Sequence, residues 1–210
     1  MDITRLIISL AGAYLLGSVP TAVWIGKSFH NIDIREHGSG NAGATNAIRV
    51  LGWKTGVPVF LIDVFKGWLA AMMPVFFNLA GEGTALSTNL QIAAGVSAVI
   101  GHIFPVFASF RGGKGVATIF GVMIAIHPAV TLTCFGLFLA VLLIWSYVSL
   151  ASISAAIAFP VLLIGLFDSP SMLLKIFSVI VAIAIIVTHR KNIKRLLTGE
   201  EPRFIRKSKS

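Results

Sequence analysis

Residues Gly38 to Asn46 read Gly-Ser-Gly-Asn-Ala-Gly-Ala-Thr-Asn, a composition suited to holding a phosphate. Gly38, Gly40 and Gly43 lack a Cβ, so the backbone there can take positive φ and turn its N–H groups toward an anion. Ser39, Asn41, Thr45 and Asn46 add neutral hydrogen-bonding groups, and Arg49 supplies a forked cation one turn later. A flexible linker between two membrane spans is the plain alternative, since Gly, Ser and Asn are ordinary turn residues. A dinucleotide-binding fingerprint does not fit. No strand pattern precedes the run, and no acidic residue follows at the ribose distance.

A second glycine turn, Ser109-Phe110-Arg111-Gly112-Gly113-Lys114-Gly115, carries a cation at its centre. Lys114 is a compact charge able to reach a phosphoryl oxygen, and Gly112 and Gly113 free the backbone beside it. The alternative is a basic turn at a membrane interface. Gly101-His102-Ile103-Phe104-Pro105 leads into it. Of the five histidines, His189 is the best side-chain candidate for taking a proton, by the unperturbed pKa of an imidazole, with His102 second; the alternative is that either only hydrogen-bonds phosphate or the backbone.

These residues must be positioned by membrane helices. With 56% hydrophobic and 12% charged residues, the 210-residue chain is expected to be an integral membrane protein, all-α and polytopic, built as a single domain over 1–210. The formal charge of +9 does not point to nucleic acid, because Lys and Arg cluster between apolar runs and in the tail, as cytoplasmic loops facing anionic headgroups do. One cysteine, Cys134, lies inside an apolar run, so neither a disulfide framework nor a metal-ligand spacing is present, and no cofactor is implied.

The first apolar stretch, about Ile3 to Ile25, is too long for a signal core and is read as a mature span, kinked at Pro20 with Ser18 available to the freed backbone. Lys27 to Thr55 is assigned to the cytoplasm. Spans follow at about Gly56 to Leu79, where Asp63 and Lys66 share a helical face and can pair, and at about Asn89 to Ala108. His127-Pro128 then divides an apolar run into Val116 to Ile126 and Ala129 to Trp145. Ser146 to Ser152 is read as a cytoplasmic loop, with further spans at about Ile153 to Phe167 and Met172 to Thr188 around an external Asp168-Ser169-Pro170 turn. Seven segments, with an external N-terminus and a cytoplasmic C-terminus, put every strongly basic loop on one side. The shortest covers only about 16 Å of a hydrocarbon layer of about 30 Å, so it must be re-entrant or sheltered.

On this topology five polar clusters share the cytoplasmic face: Gly38 to Arg49, His102, Arg111 to Gly115, Ser146 to Ser152 and His189 to Arg195. Together they describe a pocket for phosphorylated ligands beside lipid. Five stretches resemble, in order and spacing, the motifs of the bacterial acyl-phosphate:glycerol-3-phosphate acyltransferases of the PlsY type. They are Gly38 to Asn46, Gly101 to Pro105, Gly112 to Thr118, Tyr147 to Ser152 and His189 to Leu197.

The resemblance implies a seven-helix inner-membrane enzyme that moves an acyl chain from acyl phosphate to the sn-1 hydroxyl of glycerol 3-phosphate, opening phospholipid synthesis. Residue by residue it carries the family's site onto Ser39, Asn41, Thr45, Asn46, Arg49, Lys114, Ser149, Ser152, His189 and Asn192. The family often has a basic residue before the Tyr-Val-Ser run; here Ser146 stands there.

Acyl phosphate is an activated donor with phosphate as leaving group, so the protein mainly has to position and neutralise two phosphates, which the two glycine turns suit. A substrate phosphate oxygen can take the hydroxyl proton in place of a protein base. Two rivals stand against this reading. A His–Asp dyad five residues apart is missing, since no histidine has an Asp at that distance. A transporter of an anionic solute would want polar groups at mid-membrane and on both sides, whereas the outer loops here are short and nearly uncharged.

Overall fold

The computed structural model describes residues 2–167 and 171–204, so the expected outer turn Asp168 to Pro170 and the last tail cations lie outside the described residues. Among the described residues ten α-helices are present, and the chain divides into two compact units, Met1–His127 and Pro128–Ser210.

Unit 1 holds α1 (Ile3–Ser18), α2 (Thr21–His30), α3 (Ala44–Leu51), α4 (Trp53–Phe76), α5 (Ala85–Ile103) and α6 (Val116–Ile126). The Asp2 carboxylate caps α1 by accepting from the N–H groups of Thr4 and Arg5. Val19 and Pro20 end it, and α2 leaves at 40°. The break falls where Pro20 predicts it, but Ser18 does not serve the freed backbone, since its buried hydroxyl has no hydrogen-bond partner. Lys66 takes that role: its ammonium donates to the Val19 carbonyl at 2.8 Å, and a charged donor outcompetes a hydroxyl for a bare carbonyl.

Alanines 13, 70, 94 and 98 form the core where α1, α4 and α5 meet. Small residues let backbones approach closely in an apolar bundle. The tightest approach embeds α6, because a Cβ on Gly67 would overlap the Thr118 carbonyl and one on Gly121 would overlap that of Val64. The 11-residue α6 is thereby sheltered by α4, as so short an apolar segment requires.

Unit 2 holds α7 (Pro128–Trp145), α8 (Val148–Gly165), α9 (Met172–Thr188) and α10 (Arg190–Leu197). The turn between α7 and α8 is shorter than the expected Ser146 to Ser152 loop. Ser146, at φ 61°, and extended Tyr147 suffice to reverse the chain, and the small residues that follow are helical from Val148. Ser149 and Ser152 therefore sit three apart on one helical face. Val141, Leu142 and Ala151 pack with Phe204, whose N–H donates to the Ser146 carbonyl at 2.7 Å, so the tail returns to this turn.

Four helices are long and apolar enough to cross a membrane, and counting the two bent pairs α1 with α2 and α9 with α10 raises that to six among the described residues. The short α6 is the remaining apolar segment of the seven expected.

Candidate active site

The first glycine turn is built around one side chain. Asn46, 2% exposed, points its Nδ2 at the carbonyls of Ile34, His37 and Asn41, each at 3.0 Å, while its Oδ1 accepts from the Ser39 N–H at 2.8 Å. Gly38 and Gly40 have φ of 61° and 70°, and a Cβ on Gly38 would overlap Asn46 Oδ1. The turn is thus wrapped on the Asn46 amide. The Gly40 N–H donates to His37 O, so two of the N–H groups expected to face an anion are used inside the turn.

The outward chemistry lies elsewhere in the motif. Gly43 ends the turn and accepts from Asn46 and Ala47, so Ala44, Thr45 and Asn46 form the first turn of α3 rather than loop. Thr45 and Arg49 are four apart on that helix, Arg49 exposed, and Ser39 earlier in the motif is exposed as well.

The second turn is folded back onto the end of α5. Gly112 N–H donates to Ile103 O and Gly113 N–H to His102 O, at 3.1 and 3.2 Å. Ser109 and Phe110 both take positive φ, and Gly115, at 76°, begins α6. Lys114 is held half-buried between that backbone lock and the α6 N-terminus, whose first N–H groups have no partner within the helix. His102 is buried beneath, its Nδ1 3.2 Å from Thr118 Oγ1.

A short 3-10 turn, Ile34–Glu36, joins the two. Arg35 grips Asp33 with Nε and Nη2, at 2.9 and 2.7 Å, and sends Nη1 to the Ala108 carbonyl at 2.9 Å. Both glycine turns are therefore braced at one end of unit 1. The Arg35 guanidinium holds the Asp33 carboxyl well below the usual carboxylate range against the opposing effect of burial, and Lys27 adds a salt bridge at 3.2 Å.

The other expected residues belong to unit 2. Ser149 Oγ and Asn192 Nδ2 both donate to Glu201 Oε1 at 2.8 Å, and Arg195 Nε donates to Oε2 at 2.7 Å. Burial works to raise the Glu201 carboxyl, but the three hydrogen bonds and the Arg195 charge outweigh it and leave the group below its ordinary value. Ser152 is buried one turn beyond Ser149. His189, 5% exposed, stands at the 59° bend before α10, with Nδ1 2.8 Å from Ile185 O. A carbonyl only accepts, so Nδ1 carries a proton in this contact.

Glu201, Asp33 and Arg35 are the organising residues that sequence reasoning passed over. Acids inside basic stretches, Glu201 after the α10 cations and Asp33 between Lys27 and Arg35, are the signal that marks them. Among the described residues, no group of three or more His, Cys, Asp or Glu gathers that could hold a metal ion.

A family model described as glycerol-3-phosphate acyltransferase matches residues 7–199. The chain belongs to this family. It is 47% identical to the glycerol-3-phosphate acyltransferase of Chlorobium phaeobacteroides (strain BS1), covering 94% of this chain and 96% of that protein. It is 49% identical to that of Chlorobaculum tepidum, covering 91% and 93%. Among solved structures it resembles PlsY (YgiH), an integral membrane glycerol 3-phosphate acyltransferase. The likeness to the glycerol 3-phosphate form has a TM-score of 0.84 at 40% identity, over 95% of this chain and 96% of that one. For the lysophosphatidic acid form it is 0.80 at 39%, over 94% of each. The chain is thus an integral membrane protein of a glycerol-3-phosphate acyltransferase family, with the ordered motifs that the sequence carries.

Proposed function

We propose that this chain transfers a fatty acyl group from acyl phosphate to the sn-1 hydroxyl of glycerol 3-phosphate, giving lysophosphatidic acid and inorganic phosphate, the first step of phospholipid biosynthesis. The observation that carries this reading is the Arg35 to Ala108 hydrogen bond, which keeps two glycine turns with their cations at one end of an apolar helical unit. Family membership and a relative captured in glycerol 3-phosphate and lysophosphatidic acid forms agree with it. The family match crosses the boundary between the units, which supports their working as one acyltransferase domain. The seven apolar segments then run with the N-terminus external and the C-terminus cytoplasmic, in a bacterial inner membrane with the active site on the cytoplasmic side.

In this reaction the hydroxyl oxygen attacks the acyl carbonyl carbon, the new ester C–O bond forms, and the C–O bond to phosphate breaks. Lys114, Arg49, Ser39, Thr45, Asn41 and the N-termini of α3 and α6 neutralise and orient phosphates. Asn46, Gly38, Gly40, Gly43, Gly112, Gly113 and His102 shape the seats; Ser149 and Asn192, held by Glu201, do the same in unit 2, together with Ser152. The hydroxyl proton passes to a phosphate oxygen of a substrate. His189 is the protein alternative.

Purified protein in lipid, given palmitoyl phosphate and glycerol 3-phosphate, releases phosphate with no other protein present. Absence of release, with uptake of glycerol 3-phosphate into sealed vesicles, assigns the protein to transport instead.

A further inference from the structure

A chain of buried polar groups runs behind the second glycine turn. Asp63 Oδ1 accepts from Thr21 Oγ1 at 2.9 Å and pairs with Lys66 Nζ at 2.8 Å, and Asp63 and Lys66 are 1% and 5% exposed. The same Oδ1 lies 3.9 Å from His102 Nδ1, an electrostatic contact rather than a hydrogen bond, while Thr118 Oγ1 holds that nitrogen at 3.2 Å. The Thr118 hydroxyl therefore anchors the His102 ring, and the Asp63 carboxylate faces the same nitrogen. The turn rests directly on this histidine: its carbonyl accepts from Gly113 N–H, and its Nε2 occupies the space a Cβ on Gly113 would need. Gly112 is equally constrained, since a Cβ there would meet His102 O and, at 2.7 Å, Pro105 Cδ.

An ion pair at such depth is no better for stability than apolar residues of the same volume, so stability alone does not account for it. We propose that Asp63 is a positioning residue: acting with Lys66 and through His102, it fixes the 112–114 turn and thereby sets how tightly that turn holds a phosphate. The inference rests on the phosphate-seat reading of Lys114. Asp63 itself touches no ligand. Its effect reaches the ligand only through the placement of Gly113 and Lys114, where a displacement of 1 Å is enough to change affinity strongly.

The test compares full-length wild type, Asp63→Asn, His102→Asn and the double variant in one lipid. Two quantities are measured: the KM for glycerol 3-phosphate with kcat, and the concentration of inorganic phosphate giving half of its maximal thermal stabilisation. Asp63→Asn raises KM and the phosphate midpoint by about tenfold or more. The double variant is no worse than His102→Asn alone, because the two act in series. A lowered melting temperature with both binding quantities unchanged, or effects that multiply in the double variant, overturns the proposal and leaves a structural ion pair. Should Asp63→Asn not fold, Thr118→Val loosens the same ring and must shift the phosphate midpoint in the same direction, or the proposal falls. If wild type releases no phosphate from acyl phosphate, the reaction assigned above is lost, and the phosphate midpoint still decides this inference.

Discussion

Arg35 Nη1 donates to the carbonyl oxygen of Ala108 at 2.9 Å, a contact between residues 73 apart in sequence. Its guanidinium also takes both Asp33 oxygens, so one planar cation is fixed at three points and joins the approach to the first glycine turn to the approach to the second. The two anion seats therefore share one brace.

Replacing Arg35 with lysine keeps the charge but loses the fork. Arg35→Lys is expected to lower stability by roughly 2 kcal/mol and phosphate release by about tenfold or more. Thermal unfolding in detergent and the phosphate-release assay read the two effects. Unaltered activity would show that the turns are aligned without the brace.

Asn46 presents a donor to three carbonyls, and an aspartate of the same shape would present an oxygen. Asn46→Asp is expected to cost about 3 kcal/mol or more and to be worse than Asn46→Ala, which removes the group without introducing repulsion. The ordering of the two melting temperatures checks this. A tolerated aspartate would mean that the amide does not organise the turn.

Glu201 carries a pH dependence whose sign follows from its lowered pKa. A carboxyl depressed in the folded state contributes its stability fully above its unfolded value, and the contribution is lost as pH falls toward the folded value. The wild-type melting temperature should fall on acidification from about pH 5 downward. Glu201→Gln should melt lower at neutral pH and lose less over that acid window. Asp33 is lowered too and titrates in both proteins, so the difference between the curves isolates Glu201.

Lys114→Met should reduce kcat/KM by about a hundredfold or more if the ammonium meets charge that develops on phosphate. His189→Gln separates two proton acceptors. A rate within about tenfold of wild type removes His189 as general base, whose usual contribution is a hundredfold or more, and leaves the substrate phosphate in that role.

Much of the helical frame was legible because punctuation residues mark it. Val116–Ile126 lies between Gly115 and His127-Pro128, and Met172–Thr188 follows the Ser171 cap, so both ranges match the expected segments. The membrane class and the family were legible as well, from the apolar runs and from motifs in fixed order. Polar helix starts were not, because α3 opens with Ala44, Thr45 and Asn46 and α8 carries Ser149, Ala151 and Ser152 in its first turns, small residues equally at home in a loop. Within the motifs, residue type identified Asn46, Ser149 and Asn192 as hydrogen-bonding groups. It could not say that each would spend its capacity on a carbonyl or on Glu201, because choice of partner is a property of the packed chain. Ser18 failed as a partner for Val19 O for the same reason: Lys66, 47 residues away from Val19, had no mark of proximity in the sequence.

The clasp on Ser149 comes from a residue 52 positions farther along. A chain that lacked residue 201 would still contain α8 and α9 but would have no carboxylate to gather Ser149, Asn192 and Arg195.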